Sequence, residues 1–431
     1  MAQPQKQTRR QPRFQQITVM LLMTAFQLIC AACVLCRQET PELSTVYLLI
    51  GYIAAEWIYL LIGNLVTGND YFELEAIAFF LSGLGLTLCA SFSEAFAFKQ
   101  LVAIGLGLAV YLLILLLIKN MYVVRWLRYP AAIGSIGVLA LNLLLAQVHN
   151  GTLNWIDLGP VSIQPSELVK VVFVFVGAVT LEKLLSTRAL WLYIGYALVC
   201  VGCLFLMRDF GTALIFFFTF VLIAFMRSGN VRTLFLICAV ALMGAMLVIY
   251  FKPYVANRFA AYRHVWDYAD TLGYQQTRVL MYSASGGLFG LGLGEGYLRD
   301  VYAVTTDLIF GLINEELGIV MGVAVVLSFV GIAFFAVKTA KSAGSSFYAI
   351  AAVAAAGMLL FQMSLNVFGV TDLLPLTGVT LPFVSRGGSS MICSWGLLAY
   401  IRAAGAPFVP PRPDIAVSKR LRRPAKGGAA E

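Results

Sequence analysis

The strongest constraint on this chain is a series of apolar runs, each about 20 residues long, that recurs through most of the sequence. A helix of that length spans the hydrocarbon core of a lipid bilayer. Only 12% of the 431 residues are charged, whereas soluble domains carry about 25%. The composition therefore excludes a water-soluble globule, and the runs indicate a polytopic membrane protein.

Twelve such spans can be placed along the chain, and each is predicted to form a membrane helix. They cover residues 17–36, 45–66, 73–92, 98–118, 129–147, 166–184, 190–207, 210–228, 232–252, 309–337, 346–368 and 383–402. This layout places about twice as many basic residues in cytoplasmic segments as in outer ones, as the positive-inside rule predicts. We therefore predict an all-α bundle of membrane helices with both termini in the cytoplasm.

The net charge of +9 and the eight cysteines restrict the possible functions further. Basic residues in short loops and tails orient a membrane protein against anionic lipid, so no nucleic acid partner is predicted. All of the cysteines fall inside apolar runs, where a free thiol is usually a small buried hydrophobe. Neither His149 nor His264 has a partner at the spacing of a metal site or a catalytic triad.

Two predicted outer segments are long enough to carry function, residues 148–165 and residues 253–308. The second is rich in aromatic residues, which indicates an ordered segment that lies on the membrane or re-enters it. Its glycine run, residues 290–296, lacks the preceding strand of a dinucleotide fingerprint. That run is either a flexible turn or a phosphate cradle near the outer arginines.

Ionisable residues at membrane depth are costly, so they are functional candidates. Asp307 stands where the second outer segment enters an apolar span, and Glu315 and Glu316 follow about two turns later. A carboxylate there can be a general base, a metal ligand, half of an ion pair or a helix cap. The sequence alone leaves these roles open.

Three further polar clusters stand at span boundaries, within residues 154–170, 208–212 and 377–390. In the first, Glu167 and Lys170 have the i,i+3 spacing at which two charges neutralise each other. In the last, Gly387 and Gly388 relax the backbone where a helix begins. Each cluster has both a structural and a functional interpretation.

Taken together and in order, these clusters resemble the SEDS family of shape, elongation, division and sporulation proteins, of the RodA, FtsW and SpoVE types. The matching residues are Trp155 and Ile156 with residues 158–160, residues 164–167 with Lys170, residues 209–212, residues 273–275, residues 285–288 with Gly290, Thr306 and Asp307 with residues 315–318, and residues 381–385 with residues 387–390. The resemblance extends over roughly residues 73–405.

The resemblance implies a membrane-embedded peptidoglycan glycosyltransferase that polymerises lipid II by inversion at the outer face of the bacterial cytoplasmic membrane. It also implies a class B penicillin-binding protein as partner, contact with membrane lipid, and Asp307 as the catalytic carboxylate. Asp307 is also the candidate ligand of a divalent cation, Mg²⁺ or Mn²⁺. The residues expected to bind substrate are Arg258, Arg263, Trp155, Gln164, Ser166, Glu167, Lys170, Gln275, Ser385 and Arg386, and the supporting residues are Asp209, Glu315, Glu316, Gly387 and Gly388.

Some positions depart from the family pattern. Arg386 stands where the family usually has Tyr, and Leu153 and Asn154 replace residues that are often basic. Most members have ten spans, so residues 17–72 are predicted to be an added helix pair before a catalytic domain at 73–405. Basic cytoplasmic tails are predicted at 1–16 and 406–431.

Two other functions fit the same composition. Twelve spans with intramembrane carboxylates also suit a transporter, including a lipid II flippase, although no internal repeat joins two halves of the chain. A non-catalytic scaffold of the division or elongation machinery is the third possibility. The sequence does not separate roles in division, elongation and sporulation, although residues 377–383 lean toward the division and sporulation types.

Overall fold

The computed structural model describes most of the chain. The described residues are 13–37, 43–67, 72–145, 147–149, 152–157, 162–182, 187–229, 231, 232, 235, 239 and 262–405. They form twelve α-helices: α1 Arg13–Arg37, α2 Leu43–Thr67, α3 Glu73–Phe92, α4 Glu94–Ile118, α5 Met121–Leu145, α6 Pro165–Thr180, α7 Thr187–Leu206, α8 Phe210–Ser228, α9 Tyr274–Ser285, α10 Ile309–Ser342, α11 Ser346–Val370 and α12 Gly388–Ala404.

The predicted membrane helix bundle is confirmed. Nine of the described helices are long and apolar enough to cross a membrane, and each coincides with a predicted span. Two more, α6 and α12, lie where spans were predicted but have only 16 and 17 residues. The remaining predicted span, 232–252, falls outside the described residues except at 232, 235 and 239.

Two helices begin at places that differ from the prediction. Helix α5 starts at Met121 rather than 129, and Arg125 in its first turns forms an ion pair with Glu182, 3.0 Å away. Helix α12 starts at Gly388 rather than 383, because the preceding residues turn, and Phe383 takes a φ of 62°. Local hydropathy alone does not reveal the ion pair at α5 or the turn before α12.

Helix α10 is broken at Gly318, where φ is 81° and ψ is 168°. The glycine-containing loop after α9 fills the break: the N–H groups of Leu291 and Gly292 donate to the carbonyls of Glu315 and Glu316, at 2.9 and 3.0 Å. Irregular backbone at membrane depth is tolerated where other parts of the protein satisfy its polar groups. The glycine run therefore packs against the break in α10 and is held there by backbone hydrogen bonds, so it is not a free turn.

The added helix pair packs on α3 through polar contacts that are buried. Gln27 of α1 donates to Glu56 of α2 over 2.8 Å, and the Tyr52 hydroxyl donates to the Phe79 carbonyl over 2.6 Å. A Cβ at Gly83 would lie 3.0 Å from Gln27 and from Tyr52, so glycine permits this close approach. The pair is therefore joined to the bundle by specific contacts as well as apolar packing.

The predicted outer loop 148–165 contains a small antiparallel sheet that the sequence analysis missed. Its strands are β1 Gln147–His149, β2 Thr152–Asp157 and β3 Ser162–Ile163, in the order β1-β2-β3. Strands β1 and β3 are too short to show an alternating pattern, and in β2 the alternation ends where Trp155 and Ile156 follow each other. The sheet leads directly into α6 and thereby fixes the start of that helix.

Candidate functional site

Asp307 lies in the turn that precedes α10, and its side chain is half-buried. Its own N–H donates to the Ala303 carbonyl over 3.0 Å, which closes the turn. Its carbonyl accepts a hydrogen bond of 2.8 Å from the side-chain amide of Asn366 in α11. The same amide donates to the Val379 carbonyl over 2.7 Å, so one buried side chain joins the Asp307 turn to the loop between α11 and α12.

That loop contacts the Asp307 turn at two further points. The Ser385 hydroxyl donates to the Thr306 carbonyl over 2.6 Å, and it accepts from the N–H of Leu381 over 2.8 Å. The N–H of Arg386 donates to the Thr305 carbonyl over 2.8 Å. Three consecutive carbonyls, at 305, 306 and 307, are therefore held by groups from α11 and from this loop.

Gly378 brings backbone directly beside the Asp307 carboxylate. A Cβ at this position would lie 3.4 Å from the Asp307 Oδ2 atom. Its φ is 72°, in the left-handed region where glycine pays no steric cost. The site therefore requires glycine at 378, a residue that the sequence analysis did not single out.

A second polar cluster centres on Asp209, which caps α8 by accepting from the N–H of Thr212 over 3.1 Å. Its carboxylate also accepts from the side chains of Asn154 and Gln164, at 2.8 and 3.0 Å. The polar clusters within residues 154–170 and 208–212 are therefore joined in the folded protein, although Asp209 lies 40 or more residues after Asn154 and Gln164. These contacts join the start of α8 to β2 and to the residue that precedes α6.

The Asp209 cluster lies against the loop that holds Asp307. A Cβ at Gly211 would meet the Val379 side chain at 2.5 Å and the Thr377 carbonyl at 3.2 Å. The N–H of Gln164 donates to the Ser389 hydroxyl at the start of α12, over 3.4 Å. The starts of α6, α8, α10 and α12 therefore meet at one end of the bundle, hereafter the Asp307 end.

A buried polar chain lies below this end. Lys170, whose side chain is fully buried, donates to Glu167 over 2.7 Å and to Gln362 over 2.9 Å. Gln362 donates to the Thr380 carbonyl over 3.0 Å, and the Thr380 hydroxyl is 2.8 Å from that of Ser390. The chain therefore runs from α6 through α11 to the loop that carries Gly378.

This arrangement bears on three residues that were predicted to bind substrate. Ser166, Glu167 and Lys170 are all buried. Glu167 and Lys170 neutralise each other, as their spacing predicted. The contacts of Lys170 join α6 to α11. In this structure Lys170 therefore supports the site.

Glu315 and Glu316 hold the loop that leads into the Asp307 turn. Glu315 accepts from the N–H of Tyr297 over 2.7 Å and from that of Leu298 over 3.0 Å. Glu316 forms an ion pair of 3.1 Å with Arg299. Both carboxylates therefore contact protein groups of the loop between α9 and the Asp307 turn.

Two arginines at the Asp307 end stack on phenylalanine rings at the tip between α3 and α4. The guanidinium of Arg299 lies 3.8 Å from the centroid of Phe92, and that of Arg386 lies 3.8 Å from the centroid of Phe96. The two rings are themselves stacked, at a centroid distance of 6.5 Å. Cation–π contacts of this kind hold an arginine without neutralising its charge.

The other predicted site residues are placed as follows. Trp155 lies half-buried in β2, and Gln275 donates to the Tyr302 carbonyl over 3.1 Å. Arg258 lies outside the described residues. Gly387 has an extended φ of −165°, and nothing lies within 4 Å of a Cβ at Gly388, so neither position depends on glycine in the way that Gly378 does.

Arg263 is exposed and faces Asp372, just beyond the end of α11. Burial raises the pKa of the Asp372 carboxyl above its ordinary value, and the N–H and charge of Arg263 oppose that rise. The hydroxyl of Tyr262 donates to the Leu373 carbonyl over 2.8 Å and ties the same two segments together. Arg263 is therefore attached to the loop that holds Asp307.

Sequence reasoning missed Asn366 and Gln362, which hold the site loop from α11. Both are amides inside an otherwise apolar helix, four residues apart and thus on one face. The reasoning that selected ionisable residues at membrane depth applies equally to buried amides, which form hydrogen bonds between helices. That signal was present in the sequence.

The comparison with protein families matches residues 76–405 to the model FTSW_RODA_SPOVE, described as "Cell cycle protein". Stage V sporulation protein E of Bacillus subtilis is 30% identical over 69% of this chain and 83% of its own length. The probable peptidoglycan glycosyltransferase FtsW of Moranella endobia is 31% identical over 72% of this chain and 87% of its own. The peptidoglycan glycosyltransferase RodA of Mycobacterium tuberculosis is 28% identical over 70% and 69%.

Two solved structures share the fold. A chain from work on polymerization and crosslinking by a peptidoglycan synthase complex is 27% identical, with a TM-score of 0.66. The rod shape determining protein RodA of Thermus thermophilus is 26% identical, with a TM-score of 0.57. This chain overlaps 97% of the first and 96% of the second, and each match covers 78% of this chain. Helices α1 and α2 precede the matched family domain.

Proposed function

The chain belongs to the FtsW, RodA and SpoVE family of cell cycle proteins, and we infer on that premise that it is a peptidoglycan glycosyltransferase. The relatives that carry this activity in their names, FtsW and RodA, match over most of the family domain. The proposed substrate is lipid II, a disaccharide-peptide joined to a polyprenyl chain through a diphosphate.

The proposed reaction is a single inverting displacement. A carboxylate oxygen of Asp307 removes the proton from the 4-hydroxyl of the acceptor sugar, and the hydroxyl oxygen attacks the anomeric carbon of the donor. The bond between this carbon and the diphosphate oxygen breaks, and the diphosphate leaves with the electron pair. The step therefore needs one base and positive charge at the leaving group.

The observation that carries the proposal is the fixed position of Asp307. Its turn is held by Asn366 and Ser385, while its carboxylate remains half-buried beside Gly378. A catalytic group whose backbone is held at several points keeps a defined position, and small errors of position are costly in rate.

Cations for the departing diphosphate are proposed from the arginines of the segment 253–308, namely Arg258 and Arg263. A guanidinium can bind two phosphate oxygens at once. The attachment of Arg263 to the loop after α11 supports this role. Trp155 and Gln275 are proposed to contact the sugar or lipid, and Gln164 and Ser385 to hold the walls of the site.

A divalent cation is compatible with the residues present only if it is shared with the substrate. No group of three or more His, Cys, Asp or Glu side chains that could hold a metal occurs in the part of the chain that the structure describes. Mg²⁺ commonly binds through one or two carboxylates together with substrate phosphates and water. Asp307 would hold such an ion, which would neutralise charge on the diphosphate.

The proposed location is the bacterial cytoplasmic membrane, with the Asp307 end on the outer face. This sidedness follows from the distribution of basic residues between loops. A penicillin-binding protein is the proposed partner, because one structural relative comes from a synthase complex that couples polymerization to crosslinking.

The test is glycan synthesis from labelled lipid II by the purified protein and by Asp307→Asn. The wild type should produce long glycan strands, and the variant should produce none while retaining its thermal unfolding temperature. Asp267→Asn, which changes an exposed aspartate of the same segment, is the matched control and should remain active. Polymerisation by Asp307→Asn would remove this residue from the mechanism.

The same preparation separates the alternatives. Movement of lipid II between leaflets of a vesicle without glycan synthesis would indicate a flippase. Neither movement nor synthesis, with retained binding to a penicillin-binding protein, would indicate a scaffold.

A further inference from the structure

The two stacked arginines at the tip between α3 and α4 differ in one respect. Arg299 forms an ion pair with Glu316 and also donates to Ser91 over 3.0 Å, so its charge is satisfied within the protein. Arg386 lies on Phe96 at the same distance of 3.8 Å, but it has no carboxylate within 4.0 Å among the described residues. Its guanidinium is half-buried.

A half-buried guanidinium without a carboxylate partner is unusual, because desolvated charge is normally paired. Phe96 supports one face of the group through the ring quadrupole, and this leaves the N–H edge available. Planar N–H edges bind carboxylates and phosphates in bidentate fashion. The arrangement is that of an anion-binding group that awaits its ligand.

The position of Arg386 is fixed from several sides. The side chain of Gln100, one turn after Phe96 on α4, donates to the Ser385 carbonyl over 3.3 Å. On α3, a Cβ at Gly85 would lie 2.3 Å from the Val384 carbonyl, so that helix packs tightly on the loop. These contacts hold the backbone that precedes Arg386, and the Phe96 ring holds its guanidinium, so little conformational freedom is lost when a ligand binds.

Arg386 is also coupled directly to the catalytic turn. Its N–H donates to the Thr305 carbonyl over 2.8 Å, two residues before Asp307. The backbone of Arg386 therefore lies next to the segment that carries the proposed base. In a sugar-diphosphate substrate the anion closest to the reacting carbon is the diphosphate.

We propose that Arg386, supported by Phe96, binds the diphosphate of the polyprenyl-linked substrate and is a specificity-determining residue of the Asp307 site. The identity of the ligand rests on the proposed function. The anion-binding property rests on the geometry of Arg386 alone, so the two can be tested separately.

The experiment measures binding of a polyprenyl diphosphate that carries no sugar to the full chain in nanodiscs of phosphatidylcholine. It uses the wild-type background, because a polyprenyl diphosphate without sugar offers no glycosyl donor and is not turned over. Arg386→Gln in that background should weaken binding at least about tenfold, as expected for loss of a charge-assisted bidentate contact. Arg386→Lys should lose less, because it keeps the charge but not the planar fork.

Phe96→Leu is a second variant that keeps the guanidinium and removes its support, and it should weaken binding less than Arg386→Gln. Arg125→Gln is the matched control. Arg125 lies near the start of α5, and the site lies toward the other end of that helix. Its affinity should equal that of the parent. Thermal unfolding of each variant shows whether the fold is retained.

Unchanged diphosphate affinity in Arg386→Gln would overturn the proposal. A second series in nanodiscs containing phosphatidylglycerol separates the two sources of phosphate. If Arg386→Gln alters only the association with phosphatidylglycerol, the residue binds a lipid headgroup and the proposal fails. Retained glycan synthesis by Asp307→Asn would show that Asp307 is not the base. The binding result for Arg386 could still be interpreted.

Discussion

The side-chain amide of Asn366 donates to the carbonyl of Asp307 over 2.8 Å and so links the middle of the catalytic turn to α11. Its second hydrogen bond, to the Val379 carbonyl, reaches the loop that lies on the other side of the carboxylate. One buried side chain thus fixes the spacing between Asp307 and the backbone near Gly378. The position of the Asp307 turn therefore depends on a buried side chain of a neighbouring helix.

Asn366→Leu should therefore lower the rate of glycan synthesis. Loss of both hydrogen bonds frees the Asp307 turn, and a displacement of about 1 Å can cost about a hundredfold in rate. We expect kcat to fall by about ten- to a hundredfold with a smaller change in KM. Ser364→Ala is the control, because that hydroxyl donates only within its own helix. Equal losses in both variants would contradict a positioning role.

Gly378→Ala should reduce activity for a different reason. The added methyl would occupy a left-handed backbone position, at a cost of about 1–2 kcal/mol, and would lie 3.4 Å from the Asp307 carboxylate. The loop is expected to move away from Asp307, which lowers kcat. Gly134→Ala is the control, since nothing lies within 4 Å of a Cβ there. Full activity in Gly378→Ala would show that the loop adapts without disturbing the carboxylate.

Lys170→Met should destabilise the protein, because it leaves the buried Glu167 carboxylate without its partner. Removal of one member of a buried ion pair costs about 3–5 kcal/mol. The double variant Glu167→Gln with Lys170→Met should recover part of that loss, since no unpaired charge remains. Thermal unfolding in detergent measures both. Arg125→Gln breaks an ion pair whose arginine is 49% exposed, and it should change the unfolding temperature little.

Tyr52→Phe should weaken the attachment of the helix pair α1–α2 to α3. The change removes the buried hydrogen bond to the Phe79 carbonyl, worth about 1 kcal/mol. The unfolding temperature is expected to fall by only about 1 °C, because the unfolding entropy scales with chain length. Tyr47→Phe, which alters an exposed tyrosine of the same helix, should leave it unchanged. A larger effect at Tyr47 would indicate that the pair is held through its outer face.

The sequence by itself determined that this is a membrane helix bundle. Hydropathy is a local property, so a run of apolar residues specifies a membrane helix wherever it packs. The same local rule selected Asp307, Asp209 and Glu167, because charge in an apolar span is costly and must be used or neutralised. The order of the polar clusters then indicated the family.

Only the tertiary structure decided which of these residues meet. The contact of Gln164 with Asp209, and that of Ser385 with Thr306, join segments that are far apart in the chain. Helix packing sets such contacts, and a single sequence carries no local signal of them. The same holds for the break at Gly318 and for the stacking of Arg386 on Phe96, because both depend on what the neighbouring segments place beside them.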